Sequence, residues 1–180
     1  FHPRYFGSSS ILARLVSSLD LGGKSFLEVG SGSGLVAMCA ARAGAGVTAV
    51  DVNPEAVRCT IENGLRNHQD IEARVSDLFS ALDDETFDII AWNPPFLPGV
   101  PRTPAEAAFY GGLHFDVIRG FAREEVRRHM KPGTAVYTIV SADIDIASIE
   151  ELFRNESFAV SRVLSKRWGL GETMVILCAR

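Results

Sequence analysis

The sequence predicts an α/β domain whose doubly wound, mostly parallel, seven-stranded sheet ends in an antiparallel hairpin. Three observations carry this prediction. Short runs rich in Val, Ile, Leu and Phe alternate with longer segments that are apolar at helical spacing, the signature of strand–helix–strand units. Glycine clusters at Gly30-Ser31-Gly32-Ser33-Gly34 and Gly44-Ala45-Gly46 punctuate those transitions. The last two β-rich segments have too little chain between them for a helical crossover, so they pair antiparallel. No repeat, low-complexity tract or long linker divides the 180 residues, and one domain over 1–180 is expected.

Each element has a local reason. Ser8 or Ser9 is placed to cap a first helix carrying Ile11, Leu12, Leu15, Val16 and Leu19, which Gly22-Gly23 ends. A strand over 25–29 runs into the first glycine cluster, and an Ala-rich helix follows over 35–43. The second strand, 47–50, ends at Asp51. Asn53-Pro54 then caps and opens a helix reaching residue 65, with Pro54 at a favoured first-turn position. A short third strand covers 71–75 and leads to Ser76-Asp77-Leu78. The fourth, 87–92, reads as a buried parallel strand that stops at Asn93-Pro94-Pro95-Phe96, because proline has no N–H for the ladder. A loop holding Pro98, Gly99, Pro101 and Pro104 reaches Gly111-Gly112. One helix is expected over 113–130, with Phe115, Ile118, Phe121, Ala122 and Val126 on its apolar face and Lys131-Pro132-Gly133 as its stop. A fifth strand at 135–140, a helix at 143–153 and two closing strands near 158–164 and 173–179, joined at Gly169-Leu170-Gly171, complete the chain.

Composition narrows the function classes. A hydrophobic fraction of 47% with 22% charged residues is that of an ordinary globular protein. The net charge of -4 offers no global basic field for nucleic acid or an anionic membrane, though a local patch could serve. Cys39, Cys59 and Cys178 form neither a CxxC pair nor a disulfide framework, which fits a reducing cytoplasm. His2, His68, His114 and His129 lack metal-ligand spacing, so no metal is expected. No run has transmembrane length and no signal peptide opens the chain, so no membrane partner is expected. Arg123, Arg127, Arg128 and Lys131 form a basic run that compensation of a helix macrodipole explains better than a nucleic-acid patch. The chain starts at Phe1 without a Met, which points to a region upstream.

The chemistry concentrates at strand ends. Strand, glycine turn and helix make the generic nucleotide-binding arrangement, in which backbone N–H groups and a helix N-terminus face the ligand. The third glycine of a dinucleotide fingerprint would fall at Leu35, and no Lys-Ser/Thr follows as in a P-loop. Glu28, two residues ahead of Gly30, suits a cationic group more than a pyrophosphate. Asp51 can accept from two ribose hydroxyls, Asp77 from an adenine amino group, and Leu78 can pack on the ring. Asn93-Pro94-Pro95-Phe96 presents a carboxamide oxygen, a carbonyl released from the sheet and an aromatic face. Those groups match the two hydrogens and the flat face of a planar –NH2.

With these residues in view, the sequence resembles the class I S-adenosylmethionine-dependent methyltransferases. The run from Glu28 to Gly34 is similar to that superfamily's first motif, and Asp51 to its second-strand acid. Asn93-Pro94-Pro95-Phe96 resembles the (N/D)PP(Y/F) motif of the branch that methylates planar nitrogens, with Phe96 where Tyr is usual. Residues 76–82, followed by Phe87-Asp88-Ile89-Ile90, resemble the HemK/PrmC group. The resemblance implies a Rossmann-like methyltransferase fold with S-adenosyl-L-methionine as cofactor. Glu28, Gly30, Ser31, Gly32, Gly34, Asp51, Val52, Asp77, Leu78 and Asn93 would hold it, and Asn93, Pro94, Pro95 and Phe96 would serve catalysis. The leading helix over 1–20, with Phe6 and Ser8 to Ser10, would close over the cofactor. The implied substrate is the glutamine amide of a release factor; adenine in RNA or DNA, or a small amine or amide, remains open. A nicotinamide-dependent oxidoreductase shares the fold but not these motifs. A cofactor-binding accessory module would need a partner to complete its substrate site.

Overall fold

The computed structural model describes residues 7–103, 106–168 and 172–180, apart from the side chains of 124, 125, 168 and 172. Phe6 and the turn Gly169-Leu170-Gly171 lie outside the described residues, as does Pro104. The expected sheet is present. Strands β1 (Ser25–Val29), β2 (Gly46–Asp51), β3 (Ile71–Val75), β4 (Phe87–Trp92), β5 (Met130–Ser141), β6 (Val160–Trp168) and β7 (Glu172–Ala179) form one sheet in the order β3-β2-β1-β4-β5-β7-β6. β1 to β5 run parallel, and β7 pairs antiparallel with both β5 and β6.

Helices α1 (Gly7–Val16) and α2 (Leu35–Arg42) bury Ile11, Leu12, Val16, Val36 and Ala40 on one face of the sheet, against Phe26, Ala49 and Ile139. Helix α3 (Pro54–Arg66) lies along β2 and β3; Asn53 caps it by accepting from Glu55 N–H at 3.0 Å. The opposite face packs Ile90, Trp92 and Val136 against α4 (Asp116–Ala122), α5 (Glu124–Arg128) and α6 (Ile146–Asn155). Alternation along each strand feeds both layers, the pattern expected of a sheet covered on two sides.

Three expectations are corrected. Ser8 and Ser9 lie inside the first turn of α1, not ahead of it, so they are not its caps. The helix expected over 113–130 is two helices, split at Arg123, whose ψ of -175° is extended. No Gly or Pro marks that break. Lys131-Pro132-Gly133 does not precede the fifth strand but lies within it. Met130 already pairs with Phe87, and the register shifts before Ile89. Thr134 Oγ1 closes the irregularity by donating to the Phe87 carbonyl at 2.6 Å and accepting from Lys131 N–H at 2.8 Å. Pro132 is tolerated there because a bulge does not need its missing N–H.

Three members of the basic run, Arg127, Arg128 and Lys131, have partners within the chain. Arg127 lies 4.1 Å over the Phe158 ring and donates to the Glu156 carbonyl, Arg128 faces Asp84 at 3.6 Å, and Lys131 bonds Asp88 at 2.8 Å. Among the described residues, no helix is long and apolar enough to cross a membrane.

Candidate active site

Sheet register assembles the site. Strand order reverses between β1 and β4, and ligands of open α/β sheets bind at the carboxyl ends beside such a switch point. Val29 pairs with both Val50 and Trp92, so the residues that follow them emerge side by side. The glycine turn, Asp51 and Asn93 therefore share one rim, joined by Asp77 after β3. A cavity of about 480 Å³ opens there. Its wall includes Glu28, Gly30, Ser31, Gly32, Asp51, Val52, Asp77, Leu78 and the whole Asn93-to-Phe96 motif.

Gly34 is the exception among the expected binding residues, because it does not border the cavity. It adopts φ +75°, and a Cβ on it would lie 2.9 Å from Thr60 Cγ2. Its task is to let the glycine turn pack on α3.

The turn itself differs from a phosphate cradle. Gly30 and Ser31 N–H donate to the Val50 carbonyl, Gly32 N–H to Asp51 Oδ2, and Gly34 N–H to the Ser31 carbonyl. Those four donors are spent within the protein, contrary to the expectation that they face a ligand. What the turn offers instead is acceptors. Asp51 is fixed by Gly32 N–H and by Asn53 N–H at 2.9 Å each, one on each oxygen, leaving its remaining lone pairs for a ligand's hydroxyls. Glu28 is buried and accepts from Ala37 N–H at 2.8 Å. Burial pushes its carboxyl up to about 8; the Ala37 N–H pulls the other way, and Asp51 adds a smaller push upward. A buried acid of this kind ionises readily only when a cation arrives. The acceptor-rich wall therefore fits the ammonium, hydroxyl and amino groups of S-adenosylmethionine, and suits a pyrophosphate poorly.

Beyond the turn, Phe96 packs on both core layers at the sheet's end. Among the described residues nothing donates to the Pro94 carbonyl or to Asn93 Oδ1. Asn93 Nδ2 donates to Ser8 Oγ and Ser9 Oγ at 3.1 and 2.9 Å. The loop after Phe96 folds back on the motif: Leu97 bridges Tyr110, Gly99 bridges Gly112, and a 3-10 turn spans Glu106–Ala108. Pro101, Ala107, Ala108, Tyr110 and Val117 thereby reach the cavity, as does Trp92, stacked on Phe121 at 4.0 Å. Sequence reasoning expected the loop from Leu97 to Gly112 to bear on the substrate but singled out none of these six residues as lining the site. Adjacency to Asn93 was the one available signal, for Trp92. No Lys or Arg lies among the described lining residues.

Comparison with known proteins adds the following. The family model described as methyltransferase small domain matches residues 6–108. A Methanocaldococcus jannaschii protein named as a protein N5-glutamine methyltransferase is 32% identical over 147 residues, 78% of this chain and 74% of that one. A release factor glutamine methyltransferase of Koribacter versatilis is 38% identical over 120 residues; the match covers 59% of this chain and 42% of that protein. Among solved structures, the Mtq2–Trm112 complex of E. cuniculi, described as responsible for methylating the eRF1 termination factor, superposes with a TM-score of 0.74. That match has 19% identity and covers 97% of this chain and 94% of the other, a likeness of fold.

Proposed function

The chain belongs to the methyltransferase small domain family and is an S-adenosylmethionine-dependent methyltransferase, and from that premise we propose that it methylates the side-chain amide nitrogen of a protein glutamine, with a release factor as the favoured substrate. One observation carries the reading. Asn93 and Pro94 both line the cavity, and among the described residues nothing donates to Asn93 Oδ1 or to the Pro94 carbonyl. They match the two hydrogens of one –NH2. The named relatives support glutamine as the bearer of that group. The lack of Lys or Arg among the described lining residues weighs against a nucleotide, whose phosphates call for cations.

When bound, S-adenosylmethionine supplies an electrophilic methyl group on a sulfonium. Glu28 would meet its ammonium, Asp51 its ribose hydroxyls, and Asp77 with Leu78 its adenine. An amide nitrogen is a weak nucleophile because its lone pair is delocalised into the carbonyl. Asn93 Oδ1 and Pro94 O, by accepting its hydrogens, hold the nitrogen in place and stabilise the positive charge it gains as the new bond forms. Phe96 covers the flat face and the two prolines keep the backbone from relaxing. These groups are fixed before the substrate arrives; the nitrogen becomes strongly acidic once methylated, so its surplus proton can pass to water and no strong base is needed.

The test is Asn93→Ala with a release factor as acceptor. Turnover is expected to fall by roughly 10²–10³-fold, the cost of deleting one preorganised hydrogen-bonding group, while S-adenosylmethionine still binds in a calorimeter. Unchanged turnover would remove Asn93 from the reaction.

A further inference from the structure

The turn that carries Asp77 and Leu78 is held by one buried hydroxyl. Leu78 has φ +48°, a left-handed conformation that a branched side chain rarely adopts. Among the described residues it is the one non-glycine residue of positive φ that borders the cavity. Ser76 is buried just ahead of it and donates its hydroxyl to the Leu78 carbonyl at 3.0 Å. The same oxygen accepts from Ala81 N–H at 3.0 Å. Both partners are backbone groups, so the sense of each bond is fixed. With that hydrogen spent, Ser80 is the donor in the 3.3 Å contact between the two hydroxyls, and it accepts from Asp77 N–H at 3.1 Å. The one hydrogen and both lone pairs of the Ser76 hydroxyl are therefore engaged. Flipping the Leu78–Phe79 peptide would strand that hydrogen and turn another N–H toward an oxygen already full. The Ser76 backbone N–H donates to the Asp51 carbonyl at 3.0 Å, which ties the turn to the end of β2.

We propose that Ser76 is a positioning residue that fixes the Asp77–Leu78 turn and thereby sets the preference of the cofactor site for a purine bearing an amino group. Asp77 is exposed, and its carboxylate makes no bond among the described residues, so the backbone of the turn alone carries it to a ligand. Leu78 is half-buried between the cavity and α4, with Cδ1 3.8 Å from where a Cβ on Gly120 would lie. Loss of the left-handed shape at Leu78 moves both side chains together. The inference rests on adenine lying against Asp77 and Leu78, as proposed above, and needs no methyl acceptor.

The test compares, by calorimetry, S-adenosylhomocysteine with an analogue that has hydrogen in place of the adenine amino group. The wild type should bind the amino form about tenfold or more tightly, the worth of one hydrogen bond to a carboxylate. Ser76→Ala should bring the two affinities to within about twofold of each other, that bond being lost. A serine that merely stabilises the fold would weaken both ligands by one factor, so an unchanged ratio overturns the proposal. Amide exchange in the ligand-free full chain gives a second readout. Ala81 N–H should exchange about tenfold faster in Ser76→Ala, having lost its acceptor. Equal exchange would show that the hydroxyl does not hold the turn. A wild type without preference between the ligands, but with Ala81 released in Ser76→Ala, would remove adenine from Asp77 and leave the turn lock standing. Neither measurement involves a release factor, so failure of that substrate reading would leave both results intact.

Discussion

Glu28 shows how one side chain reports the character of a site. Its carboxyl is buried, so the fold holds it protonated well above the ordinary value of 4.5, up to about 8. The linkage has a definite sign. A folded-state pKa above the unfolded one contributes stability that is complete below pH 4.5 and is lost as the pH rises through 8. Glu28→Gln is a neutral isostere of the protonated acid and keeps an oxygen for Ala37 N–H. We therefore expect the variant and the wild type to match in stability near pH 5. Near pH 9 the variant should be more stable, on the order of 3 kcal/mol. Denaturant melts across that range are the measurement, and parallel pH profiles would refute the burial argument. The same variant should bind S-adenosylmethionine more weakly, having lost the carboxylate that answers a cation. The sequence pointed at Glu28 through its place before the glycine turn. It could not show that the acid is buried, because that depends on α2 folding over it.

Among the elements, the loop from Leu97 to Gly112 contributes Leu97, Pro101, Tyr110 and Gly112 to the cavity wall, and Gly111 brings it close to the Asn93-to-Phe96 segment. A Cβ on Gly111 would lie 2.0 Å from the Pro95 carbonyl oxygen, well inside contact distance. Gly111→Ala must push the loop and the Asn93-to-Phe96 segment apart. A misplacement near 1 Å at a reacting centre costs on the order of 10²-fold in rate, so turnover should fall by that order while S-adenosylmethionine binding changes little. Gly22→Ala is the control: the nearest atom to its added Cβ is Asp20 Oδ1 at 3.9 Å. Equal activity of the two variants would mean that the loop does not set the acceptor geometry. The shape of this loop was not legible in the sequence. Its proline and glycine content marked a turn-rich segment, whereas the bridges that tie it down depend on partners 13 residues apart. The split at Arg123 was hidden for a related reason. Helical periodicity continues through it, and Phe121 and Val126 on either side of the extended residue are both buried in the same core layer.

At the scale of the molecule, the strands whose patterns are purely local, 25–29, 71–75 and 87–92, occur with the boundaries that periodicity gave them. The fifth strand begins earlier because its first residues are held by a long-range bulge, not by their own apolarity. The candidate site was legible as a set of strand ends. The serines of α1 were expected near the cofactor, and Ser8 and Ser9 do line the cavity, but their contact with Asn93 was not legible, since only the fold brings them together. The end of the sheet opposite the site carries its own tie. Asp88 on β4 accepts from Ser25 N–H, Ser25 Oγ–H and Lys131 Nζ at 2.7 to 2.8 Å, joining β1, β4 and β5. The Lys131 ammonium, with the Ser25 hydroxyl and N–H, holds the Asp88 carboxyl far below its ordinary value of 3.8. We expect the chain to unfold as one cooperative unit, since β5 joins both core layers across this tie. Asp88→Asn should cost about 1–2 kcal/mol, toward the lower end because the side chain is one-third exposed, or roughly 2–6 °C in Tm, with a single transition retained. A depressed acid contributes stability that is present above pH 3.8 and lost as the pH falls further, so the difference from wild type should shrink in acid. Scanning calorimetry of both proteins, at neutral pH and in acid, reads all of this at once. Two resolved transitions in Asp88→Asn would mean that the site-bearing strands and the C-terminal hairpin fold separately, with the tie as the coupling between them.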